Sequence, residues 1–255
     1  MAASNSHVQL ASSGPIGRIS LNNPDKHNAL TLEDIEQFKA VLEAVTANSK
    51  LRVLIITGAG DQTFCAGASL GQLSSGDLDG NRFEALTDQL ATVPIPTIAA
   101  LNGSAYGGGA EIGMCCDYRI GVHGMRVMIP AARFGLCYPP NGIQRYVHKL
   151  GPSTAKRLLM ASEELDCQSL LSLGYLTHLV APEQLQRKSE KLAVDICKLG
   201  PIAVRAMKAL CQQAAAGPLH PEETRQLVQT CNQSEDLKEG LLAKTEKRDP
   251  VFKGR

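Results

Sequence analysis

The 255-residue chain lacks several features that mark large classes of protein. No apolar run reaches the roughly 18 residues of a membrane-spanning helix. The 26 basic and 25 acidic residues give a net charge of +1, and the sequence has no long basic run and no alternation of basic with aromatic residues. The sequence therefore predicts no membrane anchor and no nucleic-acid partner.

Cysteine pairs at metal-binding spacing are also missing. The eight cysteines are irregularly spaced, no pair is separated by two residues, and several lie within apolar or helical patterns. This usage indicates reduced, buried thiols rather than a zinc site or a secreted disulfide framework. Residues 1–7 lack the basic and apolar regions of a signal peptide. We expect a cytoplasmic protein, or one of an organelle matrix if a transit peptide was removed.

The motifs of three other enzyme classes are absent. The serine within residues 103–107 is displaced from the position of a hydrolase nucleophile, and no P-loop lysine follows a glycine-rich loop. The glycines of residues 107–113 do not have dinucleotide spacing, so a nicotinamide cofactor is not expected. With 44% hydrophobic residues, the chain can bury a full core as one large domain, alone or with a small appendage.

Apolar patterning divides the chain into a strand-rich first part and a helical last part. Strands that alternate with helices favour parallel crossovers, so we expect an α/β fold. Proline opens several of the later helical segments, as its fixed φ allows in a first turn. The predicted strands are residues 18–21, 51–57, 97–101, 118–122 and 127–129, and the predicted helices are 31–46, 82–91, 153–161, 167–173, 182–199, 201–215 and 221–232.

A run of three glycines that leads to a carboxylate is the most informative part of the sequence. Gly107, Gly108 and Gly109 are followed by Ala110 and Glu111. Glycine lets the backbone approach a ligand closely, and a helix that begins here would present unpaired N–H groups and its positive dipole end. Glu111 would stand in the first turn, beside the same ligand.

A second loop of small residues, 64–70, follows the strongest strand pattern in the chain. Loops at the ends of buried strands are frequent ligand sites in α/β folds. One N–H group from each loop, converging on a single oxygen, would form an oxyanion hole. Such a hole stabilises the negative charge that forms on a carbonyl oxygen when a proton moves at the adjacent carbon, and a nearby carboxylate can carry that proton.

Several motifs extend this pattern over nearly the whole chain: residues 23–30 (NPDKHNAL), 64–70 (FCAGASL), 102–111 (NGSAYGGGAE), 116–120 (CDYRI), 234–236 (SED), 239–240 (EG) and 246–252 (EKRDPVF). In this order they resemble the motifs of the crotonase superfamily, the enoyl-CoA hydratase/isomerases. The resemblance implies a spiral of ββα units over residues 1–195 and a helical region over 196–255 that builds homotrimers or hexamers. It also implies an acyl-CoA thioester as substrate, with no tightly bound cofactor and no metal.

The resemblance assigns roles to individual residues. It implies that the amides of Ala68 and Gly108 hold the thioester oxygen and that Glu111 transfers the proton. Position 69, usually Asp in hydratases, is Ser69 here. The residues that the resemblance places against CoA or substrate are Lys26, Asn28, Ala29, Ala66, Ala68, Ser69, Leu70, Gly71, Gly108, Phe252 and Lys253.

The second catalytic position departs from the hydratase pattern. Hydratases have a glutamate after a proline there, and this chain has Ala131 after Pro130. A methyl group cannot transfer protons, so straightforward hydration by two carboxylates is not expected. Tyr138, three residues after Gly135, resembles a tyrosine of methylmalonyl-CoA decarboxylase. It either acts as a second catalytic residue or packs the pocket wall.

Three functions remain open on the sequence. The first is enoyl-CoA hydratase/isomerase chemistry with Glu111, the second is decarboxylation of a malonyl-type thioester with Tyr138, and the third is acyl-CoA binding or scaffolding without turnover. The polar segment 74–80 is either a lid or an exposed linker. Arg133 and His148 are weaker candidates for carboxylate recognition, and the depth of the acyl pocket is expected to depend on Leu73, Phe83, Leu136 and Tyr138.

Overall fold

The computed structural model describes residues 7–78 and 80–255. Residues 1–6, part of the segment without signal-peptide character, and Asp79 of segment 74–80 lie outside the described residues. The strands of the described part are β1 (Val8–Ser13), β2 (Ile16–Leu21), β3 (Val53–Gly58), β4 (Thr63–Cys65), β5 (Thr97–Leu101), β6 (Ser104–Tyr106), β7 (Tyr118–Val122), β8 (Arg126–Met128), β9 (Leu165–Asp166) and β10 (His178–Val180).

Helices connect these strands and form the last part of the chain. They are α1 (Leu32–Ala47), α2 (Leu70–Ser75), α3 (Gly80–Ala91), α4 (Gly108–Cys115), α5 (Pro140–Leu159), α6 (Cys167–Ser172), α7 (Leu185–Cys197), α8 (Pro201–Ala216), α9 (Pro221–Gln233) and α10 (Glu235–Glu246). Short 3-10 helices lie at Pro24–Lys26, Ala131–Phe134 and Pro182–Gln184.

Two sheets are built by successive turns of the chain. The larger sheet has the strand order β1-β2-β3-β5-β7-β10, and the smaller has the order β4-β6-β8-β9. Each turn places one strand in each sheet: β3 with β4, β5 with β6, and β7 with β8. One or more helices follow each pair of strands before the next turn begins. This spiral of ββα units confirms the predicted fold class.

The central parallel strands β3 and β5 are mainly apolar because both of their faces are covered. From β2 through β3, β5 and β7 to β10 the larger sheet is parallel, and β1 joins its edge antiparallel. Every residue of β5 is buried, which explains why its sequence does not alternate with polar residues. At the start of α1, Asp34 N–H donates to Thr31 Oγ1 at 3.2 Å and Thr31 N–H donates to Asp34 Oδ2 at 3.0 Å, which is a capping box.

Several elements differ from the sequence prediction. α5 begins at Pro140 rather than at residue 153, and it breaks at Gly151, whose φ of 75° interrupts the helix. The predicted segment 74–80 is not wholly irregular, because Ser74 and Ser75 end α2. β1, the short strands β4, β6, β9 and β10, and the helix α10 were not predicted. β1 was missed because five of its six residues are exposed and the strand lacks an apolar face.

The C-terminal helices are less buried than the spiral. No residue of α9 is buried, whereas α4 has seven buried residues. The predicted division after residue 195 falls in the last turn of α7 and stays a prediction, as does assembly into trimers or hexamers. Among the residues that the structure describes, no helix combines the length and the apolar composition needed to cross a membrane.

Candidate active site

The two glycine-containing loops meet at the end of the smaller sheet. β4 and β6 are neighbouring parallel strands, and each leads directly into one of the loops. Gly67 has a φ of +85°, and a Cβ atom on it would lie 2.6 Å from the amide nitrogen of Gly108. This contact is closer than a side chain permits, so glycine is required at position 67 for both its dihedral angle and its space.

The hydrogen bonds around Ala68 set the direction of its amide. Leu30 N–H donates to the Gly67 carbonyl at 2.8 Å, and Ser69 N–H donates to the Leu30 carbonyl at 2.8 Å. In this parallel bridge the N–H of the intervening Ala68 points away from Leu30. Gly108 is the first residue of α4, where amides have no acceptor within the helix. Each loop thus has one amide, that of Ala68 or that of Gly108, that is not used in the bridge to Leu30 or within α4, and their convergence on one oxygen stays a prediction.

Phe83 of α3 lies against Gly108. A Cβ atom on Gly108 would fall 2.2 Å from Cζ of the Phe83 ring, so the ring occupies the space that any larger residue at position 108 would need. Phe83, Leu73 and Tyr138 are partly buried, whereas Leu136 is 54% exposed. Of the four residues expected to shape an acyl pocket, Phe83 therefore makes the most direct contact with the second loop.

Glu111 lies in the first turn of α4, almost fully enclosed at 3% exposure. Arg145 Nε donates to its Oε1 at 2.6 Å, and the Tyr138 hydroxyl donates to its Oε2 at 3.1 Å. Burial raises the pKa of Glu111, and the Arg145 guanidinium and the Tyr138 hydroxyl oppose that rise. The result is a carboxylate with a raised proton affinity that two named donors hold in one orientation.

Tyr138 is held as a neutral hydrogen-bond donor. Burial and the adjacent Glu111 carboxylate raise the pKa of Tyr138 well above its usual range, so its proton is retained at neutral pH. The ring packs edge-to-face on Tyr146, with ring centroids 6.0 Å apart and an interplanar angle of 82°. Tyr138 therefore packs against Tyr146 and also contacts Glu111, and its role as a second catalytic residue stays a prediction.

Arg145 is the main site residue that the sequence analysis missed. Besides Glu111, it donates from Nη1 to Asp88 Oδ1 at 2.7 Å and from Nη2 to Thr87 Oγ1 at 3.1 Å. Nothing local distinguishes it from other basic residues of α5, because its partners are distant in sequence. Arg133, one of the weaker candidates, is exposed and donates to the Ser162 carbonyl at 2.9 Å.

Comparison with known proteins identifies the family. The sequence profile of the enoyl-CoA hydratase/isomerase family matches residues 11–255. The chain belongs to this family. YngF of Bacillus subtilis is 34% identical over 92% of this chain and 94% of its own length, and a crotonyl-CoA hydratase of Syntrophomonas wolfei is 31% identical over 91% and 92%. The crystal structure of an enoyl-CoA hydratase from Bacillus anthracis, 28% identical, superposes with a TM-score of 0.92 over 98% of this chain and all of that one.

The family membership establishes an enzyme of the enoyl-CoA hydratase/isomerase type, which acts on CoA thioesters. At the position of the second glutamate expected for hydratases, the structure places Ala131, buried and directly after Pro130. The Pro130 ring lies 3.8 Å from the Cβ position of Gly107, so Ala131 begins beside the second glycine loop. The residue at this position thus carries a methyl group where a hydratase is expected to carry a carboxylate.

Most of the residues predicted to contact CoA gather near the first loop. Lys26, Leu70 and Gly71 are exposed, and Ala29, Ala66 and Ser69 are partly buried. Asn28 is instead buried, and its Nδ2 donates to the carbonyls of Ala59 at 2.9 Å and Thr63 at 2.8 Å. The side chain of Asn28 therefore ties the loop to the sheet rather than projecting into an open site.

Phe252 and Lys253 lie apart from this group within one chain. The Phe252 carbonyl accepts a hydrogen bond of 2.7 Å from Arg52, and Lys253 N–H donates to Asp236 at 2.7 Å. Arg52 immediately precedes the first residue of β3, whereas the two glycine-containing loops lie beyond the last residue of β3. A six-residue strand separates the two ends by about 17 Å or more. The described chain does not bring these two residues to the others, and their contact with CoA stays a prediction.

Acidic, histidine and cysteine side chains do not form a metal-binding cluster in the described part of the chain. Across residues 7–78 and 80–255, no group of three His, Cys, Asp or Glu side chains is arranged to hold a metal ion. All eight cysteines are free thiols. Cys115 lies beside Glu111, with its Sγ 4.0 Å from Oε1, and burial raises its pKa well above the usual range, so the thiol stays protonated.

Proposed function

We propose that this family member forms an enolate of an acyl-CoA thioester, with Glu111 moving the proton at the carbon next to the carbonyl. The amides of Ala68 and Gly108 would hold the thioester oxygen. The observation that carries the proposal is the buried Glu111 carboxylate in the first turn of α4, directly behind the two loops that meet at Gly67 and Gly108. Lys26, Ala66 and the neighbouring residues of both segments would contact CoA.

The proposed chemistry uses one carboxylate. Glu111 takes a proton from C2 of a 3-enoyl thioester, and the electron pair of the broken C–H bond passes into a dienolate whose oxygen is held by two N–H groups. Protonation at C4 by the same Glu111 gives the 2-enoyl isomer. Preorganised donors stabilise the charged transition state more than the ground state. Because Ala131 supplies no second acid, isomerisation or C2 exchange is favoured over addition of water.

The test follows deuterium and double-bond position. Wild-type protein in D2O with 3-enoyl- and 2-enoyl-CoA should give C2 or C4 labelling and a shifted double bond by NMR and mass spectrometry. Glu111→Gln should lower this rate by about 10² to 10⁴-fold, because Gln cannot accept the proton. Glu163→Gln is the control, since Glu163 pairs with Arg157 on the surface. A Glu111→Gln protein as active as wild type would refute the proposal.

Decarboxylation of a malonyl-type thioester is the second candidate, and the Tyr138 contact with Glu111 favours it. Here the C–C bond to the carboxylate breaks, CO2 leaves, and the electron pair forms the same enolate, which takes a proton at C2. Tyr138 would donate that proton or orient the leaving carboxylate. Release of CO2 from malonyl-type CoA without double-bond shift, reduced in Tyr138→Phe, would select this reaction.

A binding protein without turnover is the alternative from a different class. Such a protein would keep its affinity for CoA thioesters in Glu111→Gln and show no reaction in any assay. The homotrimer or hexamer is carried forward as part of the proposal, and it is supported by the exposed apolar residues Met207, Val228 and Leu241 on the C-terminal helices. Light scattering of the purified protein tests the assembly.

A further inference from the structure

We infer that Arg145 and Asp88 are positioning residues for Glu111. Arg145 fixes the carboxylate, and Asp88 keeps the guanidinium in place when Glu111 takes up a proton. The inference rests on the proposed role of Glu111 as the proton-transfer residue. It assigns a role to one residue that the sequence motifs do not include, Arg145 of α5, and to a second, Asp88 of α3.

The guanidinium makes three directed hydrogen bonds with its three nitrogen atoms. Nε contacts Glu111 at 2.6 Å, Nη1 contacts Asp88 at 2.7 Å and Nη2 contacts the Thr87 hydroxyl at 3.1 Å. The planar fork of arginine fixes the relative directions of these bonds, which a lysine ammonium cannot do. The Arg145 side chain is 16% exposed and that of Glu111 is 4% exposed, so solvent screens their ion pair little.

This arrangement leaves the two carboxylate oxygens of Glu111 in different environments. Oε1 is bound by Arg145, and Oε2 is contacted by the neutral Tyr138 hydroxyl. The oxygen without the cationic partner is the more basic position for a substrate proton. Arg145 therefore decides which oxygen remains available and restrains rotation of the carboxyl group.

Asp88 gives the guanidinium a second anionic partner. When Glu111 becomes protonated during the reaction, its pairing with Arg145 weakens, and a guanidinium left without a counterion in a mostly buried place would be costly. Asp88 is the partner that stays bound to Nη1 of Arg145. Its other oxygen accepts a hydrogen bond of 2.7 Å from Asn141 Nδ2, which ties α3 to the start of α5. The network can thus pass through the neutral state of Glu111 without rearranging.

The charges around Glu111 predict opposite effects for the two variants. The cations that face it are Arg145 and Lys149 of α5, and the neutral titratable groups are Tyr138, Tyr146, Tyr175 and the Cys115 thiol. Asp88 adds a negative charge on the far side of Arg145. Loss of the cation should make Glu111 harder to ionise, and loss of the Asp88 charge should make it easier.

The experiment compares Arg145→Gln, Arg145→Lys and Asp88→Asn with wild type. The rate of double-bond shift or C2 exchange is measured as kcat and KM against pH. Arg145→Gln should lower kcat by roughly 10- to 100-fold with little change in KM and should move the acidic limb of the profile up by about one pH unit. Arg145→Lys should restore the limb but only part of kcat, because it replaces the charge and not the three bonds.

Asp88→Asn should move the limb to lower pH, the reverse of Arg145→Gln, with a smaller loss of kcat. If the two residues only supported the fold, both variants would lose activity, but their acidic limbs would not move in opposite directions. Acidic limbs that coincide with that of wild type in both variants would overturn the inference. Thermal unfolding is recorded for each variant, and Asp88→Asn alone decides the sign if Arg145→Gln does not fold.

Two further measurements separate this inference from the proposed function. Arg145 and Asp88 line a cavity of about 990 Å³, through which a small cation can reach the site. Millimolar methylguanidinium should therefore restore activity to Arg145→Ala, and failure to do so counts against the positioning role. If Glu111→Gln is as active as wild type, the proposed function fails. In that case, carbon-13 NMR titration of the Glu111 carboxyl group in Asp88→Asn and in wild type still tests whether Asp88 acts on Glu111 through Arg145. Identical titration curves would refute the inference.

Discussion

The two walls of the site are built very differently. The wall formed by α4 has seven buried residues, a carboxylate with two hydrogen-bond donors, and a glycine backbone in tight contact with the neighbouring loop. The second wall begins with the 3-10 helix Ala131–Phe134. This helix and the residues after it are largely exposed, and Ala131 is the one buried residue of the helix. The carboxylate proposed to transfer the proton therefore stands on the α4 wall.

This asymmetry separates two properties of the enzyme. Under the proposed function, the α4 wall would form the enolate, a step that many acyl-CoA reactions share. The Ala131 wall would then determine what happens to that enolate, because a water-directing acid or a substrate carboxylate would be handled there. The proposal thus combines a retained first step with an unusual second one.

Placing a carboxylate on the second wall should have the largest effect. Ala131→Glu adds the acid that hydratases are expected to have at this position, so addition of water to 2-enoyl-CoA should rise by about 10² to 10⁴-fold. Burial of position 131 would raise the pKa of the new side chain and keep it able to donate a proton. Hydration is measured as loss of absorbance of the conjugated thioester.

Ala131→Gln is the matched control, because it has a similar volume without an ionisable proton. Equal hydration rates in Ala131→Gln and Ala131→Glu would mean that an acid at position 131 does not promote hydration. If wild type hydrates as fast as Ala131→Glu, the missing carboxylate does not limit hydration, and the proposed difference between the two walls is wrong.

The contact between the loops should be nearly as sensitive. Gly67→Ala places a methyl group 2.6 Å from the Gly108 nitrogen and 3.0 Å from the Tyr106 carbonyl, which should displace one amide donor and lower kcat by about 10² to 10³-fold. Gly76→Ala has a nearly equal φ, +81°, with no described atom within 4 Å of the added group. This control should lose only stability, by about 1 kcal/mol. Similar kcat values for the two variants would contradict the role of the contact.

The sequence predicted the parts of the site that depend on local pattern. The glycines and Glu111 stand together in one short segment, so a local pattern was enough to find them. The four predicted long strands also appear, at residues that differ by no more than two at either end. Short strands such as β4 and β6 were missed because three residues are too few to show a period.

Long-range pairing was the part that the sequence could not provide. Arg145 is 34 residues from Glu111 and 57 from Asp88, and no spacing rule connects them. The position of Phe252 shows the same limit, since the chain returns it to Arg52 at the far end of β3. Tyr138 was found by its resemblance to a decarboxylase residue, but its bond to Glu111 is a property of the folded chain.

Acyl specificity should respond moderately to Phe83. Phe83→Ala removes the ring that covers Gly108, so thioesters with longer or C2-branched acyl groups should gain in kcat/KM relative to short ones by roughly 10- to 200-fold. Phe83→Leu should give a smaller gain because it fills part of the space. Phe134→Ala is the control, since that ring is 62% exposed. An unchanged order of preference in Phe83→Ala would show that the ring moves aside for substrate.

The smallest expected effect is on stability against pH. Burial raises the pKa of Glu111 in the folded protein, so its protonated form is favoured by folding. The stability that this group contributes is fully present below its unfolded pKa and is lost as the pH rises through the folded pKa. The side chain of Glu111→Gln cannot ionise. The free energy of unfolding of this variant, minus that of wild type, should therefore increase as the pH rises and become constant above the folded pKa.

The surface residue Glu163 should behave in the opposite way. Its hydrogen bond with Arg157 lowers its pKa, so wild type retains that contribution above the unfolded pKa and loses it as the pH falls through the folded pKa. Glu163→Gln should therefore be the less stable variant at neutral pH, with a small difference because the pair is exposed. Urea unfolding of wild type and both variants between pH 4 and about pH 9 gives the pH dependence of each stability difference. If the difference between Glu111→Gln and wild type does not increase with pH, Arg145 and Tyr138 fully offset the burial of Glu111. The α4 wall would then hold a carboxylate of ordinary pKa.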